Sequence, residues 1–190
     1  MRIIRVKVRF LLALVLLSLT TMTSANEMDT INAFLSRLSP RDFPALPAQV
    51  ASAFIELGCT VPQASYYVKG KSNVISGSFA KLGQKDYAIL CSKNGVSQIQ
   101  VFWGGNTRCE SELEIVDDVT FFQGVGSGKR EYSRIIGVTS RRSIPNISPA
   151  DGDYKLKDPY HDAIYDAFAE KASTIFYCEK GKWHELEGAD

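Results

Sequence analysis

The apolar positions of this chain change their period once, near Cys59. In "NEMDTINAFLSRL" (26–38), Met28, Ile31, Leu35 and Leu38 recur at helical spacing, with Asn26 or Asp29 placed to cap the run. Ser39-Pro40 ends it, because a residue before proline is pushed out of the helical region. "LPAQVASAFIELGC" (46–59) predicts a second helix. Pro47 suits its first turn, Val50, Phe54 and Leu57 share a face, and Gly58 suits a left-handed stop.

Beyond Cys59 the runs shorten and fill with Val, Ile, Tyr and Phe: "ASYYVKG", "NVISGSF", "DYAILCS", "SQIQVFWGG", "ELEIVDDVTFFQG", "EYSRIIGVTS" and "STIFYCEKGKW". Turns rich in Gly, Asn, Ser or charge separate them, the pattern of consecutive antiparallel strands. Asn94-Gly95 favours positive φ at both positions and predicts a tight hairpin. Residues 140–160 read as loop, and "HDAIYDAFAE" (161–170) as a helical turn or two before the last strand. The expected fold is mainly β. A propeller-like or curved antiparallel sheet domain (59–190) follows a lead-in of two short helices (26–58).

Residues 1–25 read as a signal peptide. Arg2, Arg5, Lys7 and Arg9 precede the apolar run "FLLALVLLSL" (10–19), and the small residues "TSA" precede Asn26, so cleavage is expected after Ala25. The run is shorter than the roughly 20 residues a membrane span needs, and no membrane association is expected after cleavage. Cleavage also changes the charge. Losing four of 22 basic residues leaves 18 against 21 acidic ones, a formal −3 that gives no reason to expect nucleic-acid binding. A periplasmic or secreted location follows. Four cysteines in an exported protein predict two disulfides, with three connectivities open. The favoured one joins Cys59 to Cys91, tying the second helix to the opening strand, and Cys109 to Cys178, tying distant strands. No CxxC or His-x-His spacing favours zinc.

Two segments fit the frame of a compact calcium loop, in which oxygen ligands alternate, a glycine bends the chain and a carboxylate closes it. In "SFAKLGQKD" the ligand positions are Ser78, Ala80, Leu82 and Asp86, with Gly83 at the bend. Ala80 and Leu82 offer no side-chain oxygen, so the segment is expected to serve as a turn, with Asp86 accepting hydrogen bonds from backbone amides. In "DPYHDAIYD" the positions are Asp158, Tyr160, Asp162 and Asp166, with Ile164 offering its carbonyl and Ala163 at the bend. Weak Ca2+ binding is expected here. With the strands that follow them, these loops resemble the FG-GAP or VCBS repeats of β-propeller proteins. That resemblance implies a calcium-tuned surface or adhesion module.

"GVGSGKREY" (124–132) is not a nucleotide loop. Gln123 stands where the first Walker glycine belongs, and Arg130 replaces the hydroxyl that would hold magnesium. The segment resembles the S-G-x-x-Y loop with which periplasmic inhibitors of animal-type lysozymes enter the active-site cleft. It is also similar to immunity proteins that guard bacteria against peptidoglycan-cleaving toxins. The pattern here is Ser127, Gly128, Lys129, Arg130, Glu131 and Tyr132, one residue longer between glycine and tyrosine. The resemblance implies that Ser127, Gly128, Lys129, Arg130 and Tyr132 bind a partner. Lysozyme-like clefts hold catalytic carboxylates, which would attract the two cations.

No catalytic set emerges. His161 and His184 are the only histidines, no G-x-S-x-G elbow exists, and every cysteine is expected to be paired. Glu110, Glu112 and Glu114 alternate in "ESELEIV" and are expected on a strand's solvent face. The expected function is therefore not enzymatic. It is an exported protein that inhibits a peptidoglycan-degrading, lysozyme-like enzyme, with the calcium-binding surface module as the alternative.

Overall fold

The computed structural model describes residues 33–144, 156 and 159–188. The chain divides after Leu35, and the unit Ser36–Asp190 holds the elements that follow. They are β1 (Arg37–Leu38), α1 (Ala48–Glu56), β2 (Val61–Pro62), β3 (Val74–Gly77), β4 (Asp86–Lys93), β5 (Val96–Phe102) and β6 (Glu112–Asp117). Next come β7 (Phe122–Gly124), β8 (Arg130–Tyr132), β9 (Arg134–Thr139), β10 (Ala163–Phe168), β11 (Ala172–Glu179) and β12 (Lys182–Glu187). The signal-peptide region and residues 26–32 of the first predicted helix lie outside the described residues.

Two four-stranded antiparallel meanders dominate, β3-β4-β5-β6 and β9-β10-β11-β12, joined in sequence by the hairpin β7-β8. Among the described residues the strands close neither a barrel nor a propeller. The Asn94-Gly95 hairpin forms as expected, with φ of 54° and 81°, and Lys180-Gly181 makes the same kind of turn between β11 and β12. Both favoured disulfides are present, Cys59–Cys91 and Cys109–Cys178, and no cysteine is free.

Helix α1 ends as its sequence indicates. Gly58 at φ 80° lets its own N–H reach Ile55 O (2.8 Å) and the Cys59 N–H reach Phe54 O (3.1 Å), satisfying two terminal carbonyls. Its apolar face, Val50, Ala51 and Phe54, packs with Phe43, Leu46, Val61, Tyr87 and Ile89 over one face of the first meander. Seven successive residues of β4 are buried, so both faces of that strand are covered. A separate cluster of Ile144, Ile175, Tyr177 and Leu186 lies on the outer face of the second meander.

Several sequence expectations need correction. Arg37 and Leu38, read as the end of a helix, pair instead with Pro62 and Val61. "HDAIYDAFAE" is not helical: residues 163–168 form β10, hydrogen-bonded to strands on both sides, and that pairing overrides the helical spacing of its acids. "ASYYVKG" is a loop, because the Tyr67 and Val68 amides both turn back to Ala64 O. "ELEIVDDVTFFQG" is two strands, split by a 3-10 turn at Asp118–Phe121 that buries Asp118.

Asn73 joins the meanders at their first strands. At φ 68° its side chain donates to Pro62 O (2.7 Å) and Arg134 O (3.0 Å) and accepts from the Ile136 N–H (3.0 Å), all buried. Asn73→Ala strands three buried backbone groups and should cost about 3 kcal/mol. Asn73→Gly, which relieves the positive φ, should recover only a minor part of that loss. Urea denaturation of both variants measures it, and a loss below about 1 kcal/mol for Asn73→Ala would contradict the assignment.

Candidate functional site

The hairpin β7-β8 carries the candidate site. Its tip is formed by Gly126 (φ 91°), Ser127 (φ 51°) and Gly128 (φ 71°), three successive left-handed residues. The Val125 N–H donates to Lys129 O, and the Lys129 N–H to Gly126 O, both at 3.0 Å. A Cβ built on Gly126 or Gly128 would meet no atom within 4 Å, so the tip stands clear of the rest of the protein. Ser127, Gly128, Lys129 and Arg130 are all exposed. Arg130 lies partly across the hairpin, its Nη2 donating to Phe122 O at 3.1 Å.

The base of the hairpin is fixed. Tyr132 meets Phe122 and Phe121 edge-to-face, with centroids 5.6 and 6.2 Å apart, and its hydroxyl lies 3.4 Å from Ser97 Oγ. Burial, with Asp118 nearby, pushes its phenol far above the ordinary range. Tyr132 is 3% exposed. The expectation that Tyr132 touches a partner is therefore corrected: an aromatic ring with a polar tip serves best here as a core anchor. Of the five residues expected to bind a partner, four are presented together and one is structural.

Below Tyr132 lies a charged centre that sequence reasoning missed. Arg134 is fully buried, and each of its guanidinium nitrogens is engaged. Nε and Nη2 donate to the Asp166 carboxylate (3.1 and 2.7 Å), Nη1 to Ser97 O and Oγ (3.1 and 2.9 Å), and Nη2 also to Glu114 O (2.8 Å). Its carbon lies 4.7 Å from the centroid of the Phe121 ring. The Glu114 carbonyl is available because a bulge shifts the β5-β6 register between Ser97 and Ile99, leaving Glu114 at φ 52°. The same bulge corrects another expectation. Glu112 is exposed, but Glu114 is drawn half-inward beside Asp166. The available signal was one charge of each sign inside otherwise apolar runs, "SRIIGV" and "AIYDAF".

The two calcium-loop segments meet. The Ser78 N–H donates to Asp162 Oδ2 (3.1 Å) and the Asp162 N–H to Ser78 O (2.9 Å), a reciprocal pair. In the first loop Gly83 takes φ 82°, and buried Asp86 accepts from the Phe79 and Gly104 amides (3.0 and 2.9 Å) and from Gln84 Nε2 (2.7 Å). The expected role of Asp86 as a backbone acceptor is what the structure has. In the second, Asp158 lies outside the described residues, Ile164 sits in the ladder between Val138 and Phe176, and Asp166 belongs to Arg134. An extended chain sets Asp162 and Asp166 about 13 Å apart, at roughly 3.3 Å per residue. Calcium at Asp166 would have to compete with the guanidinium. Among the described residues no three His, Cys, Asp or Glu side chains converge as a metal-holding group.

Both ring nitrogens of His161 face backbone oxygens. His161 is buried, with Nδ1 2.7 Å from Asp162 O and Nε2 2.8 Å from Cys178 O, and it stacks on Tyr177 at 4.2 Å. His184 lies on β12 opposite Tyr177. Compared with protein-family models, curated proteins and solved structures, the chain matches none.

Burial pushes the Glu114 carboxyl above its ordinary range, helped by Asp166 and Glu185 and opposed by Arg134. The folded state thus holds this proton more tightly than the unfolded chain does. The associated stability is complete at acid pH and is lost as pH rises through the folded carboxyl's titration. Glu114→Gln mimics the protonated form at every pH. Its melting temperature, measured against the parent's, should compare more favourably at about pH 7 than at about pH 4. A difference that is flat or shrinks with pH would contradict a desolvated Glu114.

Proposed function

We propose that this chain is an exported binding protein that blocks a peptidoglycan-degrading, lysozyme-like enzyme, as a lysozyme inhibitor or the immunity partner of a toxin. The observation that carries this reading is the hairpin tip: two cations, Lys129 and Arg130, stand exposed on a left-handed turn with a rigid aromatic base. A binding loop held in one conformation loses little entropy on association. The resemblance to the S-G-x-x-Y inhibitor loops adds to it, with Tyr132 now holding the loop rather than touching the target. The cations suit a cleft whose hydrolytic chemistry requires carboxylates.

The setting is compatible. Two disulfides suit an oxidising extracellular or periplasmic environment. Among the described residues no helix is long and apolar enough to cross a membrane. Nothing in the proposed action requires a cofactor, since occluding a cleft needs only shape and charge.

A muralytic assay with the oxidised full chain tests the reading. The Lys129→Ala/Arg130→Ala double variant should keep its stability to within about 1 kcal/mol, the value of the single Arg130 hydrogen bond to Phe122 O. Inhibition should weaken by roughly 2 kcal/mol or more, as for an interface hot spot. Added salt should slow association of the parent more than of the variant. A double variant that inhibits every target as well as the parent does would remove the tip from the interface.

A further inference from the structure

Along "VSQIQVF" of β5 the side chains alternate between the two faces of the sheet. Ser97, Ile99 and Val101 are buried on one face. Gln98 and Gln100 fall on the other, directly opposite Cys91 and Ile89, which pack with α1. That helix stops at Glu56, and past its end the sheet is left open as a cleft of about 440 Å³. Leu57 and the Cys59–Cys91 disulfide supply its apolar side, and Gln98, Gln100, Lys93 and Glu112 its polar groups.

Gln100 is only 6% exposed, yet its side-chain amide is half used. Gln98 Nε2 donates to Gln100 Oε1 at 3.1 Å, and among the described residues nothing answers Gln100 Nε2 or Gln98 Oε1. The pair therefore offers the cleft one amide donor and one carbonyl acceptor, fixed against each other. A charge of each sign flanks it. Lys93 stands opposite Val96, and Glu112 opposite Gln100. Those positions lie about 13 Å apart along β5, at roughly 3.3 Å per residue. Lys93 Nζ is held at its end by Leu57 O (3.2 Å), which leaves two of the three ammonium N–H groups unused.

We propose that this cleft binds a short extended peptide with free termini, its carboxylate at Lys93, its ammonium at Glu112, and one central residue on Gln98 Oε1 and Gln100 Nε2. In an extended chain the N–H and C=O of one residue point the same way, as they do when strands pair, so a single residue answers both glutamines. A lone trans amide points its N–H and C=O in opposite directions, so the acetamido group of a sugar answers only one. Three or four residues, at no more than about 3.5 Å each, span the two charges. The opposed charges favour a zwitterion over a wholly acidic or basic ligand. Every polar group addresses main chain or terminus, so side chains matter little provided they are small. None of these residues belongs to the hairpin tip, and the two sites stand or fall separately.

The test titrates the oxidised full chain with tetra-alanine, followed by calorimetry and by the NMR signals of the glutamine side-chain amides. Tetra-alanine should shift the Gln98 and Gln100 signals. Gln100→Met, of similar volume but with no donor, should weaken binding at least tenfold, and Glu112→Gln at least threefold. Glu112 is exposed, so the second variant reads the site even where the first fails to fold. N-acetylation of the probe should weaken binding to the parent while leaving Glu112→Gln no worse than the parent toward the acetylated probe. Lys93→Gln should do the same for the probe amidated at its C-terminus. The proposal is overturned if tetra-alanine shifts neither glutamine, or if Gln100→Met and Glu112→Gln both bind it as the parent does. A trimer of N-acetylglucosamine that binds the cleft more tightly than tetra-alanine would overturn the peptide assignment. So would contacts from residues 145–155 to these amides, with the chain's own segment as the occupant.

Discussion

The buried pair of Arg134 and Asp166 is the constraint on which the two meanders depend. Ser97, Ile99 and Val101 line one face of the first meander, and Arg134, Ile136, Ile164 and Asp166 line one face of the second. The guanidinium spans the two by bonding Ser97 and the Glu114 carbonyl on one side and Asp166 on the other. A buried charge of this kind is tolerated only when its partners are complete, and here all five N–H donors of the arginine are used. The bulge in β6 is part of this arrangement: without it the Glu114 carbonyl would remain committed to the ladder. A second ion pair, Arg37 with Asp118 at 3.0 Å, works alongside it, with Ser92 Oγ donating to the same carboxylate oxygen at 2.5 Å.

The rigidity of the hairpin follows from that centre. Phe121 lies over the Arg134 guanidinium and also meets Tyr132 and Phe168. Tyr132 reaches Ser97, which the arginine already holds. The backbone between the hairpin and β9 is closed by Ser133, whose N–H and Oγ both donate to Phe121 O, at 2.9 and 2.6 Å. The aromatic base thus rests on a fixed charge, while Ser127, Gly128 and Lys129 are exposed and Arg130 donates to Phe122 O within the hairpin itself.

Local chemistry was legible in the sequence and long-range pairing was not. Gly58, Asn94-Gly95, Gly83 and Asp86 each behave as their residue types require, because a left-handed turn or a closing carboxylate is decided within a few residues. The cysteine pairing could be inferred because few connectivities existed. The helical reading of residues 161–170 failed because Asp162 and Asp166 have helical spacing, while their partners, Ser78 and Arg134, lie far away in the chain. Tyr132 was misread for the same reason: the motif placed it on a loop, and only the fold shows Phe121, Phe122 and Ser97 around it. Asn73 leaves no periodic trace, since it bonds backbone groups set by tertiary structure.

Native-state hydrogen exchange tests the central claim most directly. If the arginine centre locks the meanders into one cooperative unit, the slowest amides of β5 and of β9–β10 should open with the same free energy, equal to that of global unfolding. Arg134→Met leaves Asp166 buried and uncompensated, and should lower both sets together by about 3–5 kcal/mol. The account would be contradicted if one meander lost protection while the other kept its full value, since the two sheets would then be stable independently of the charge between them.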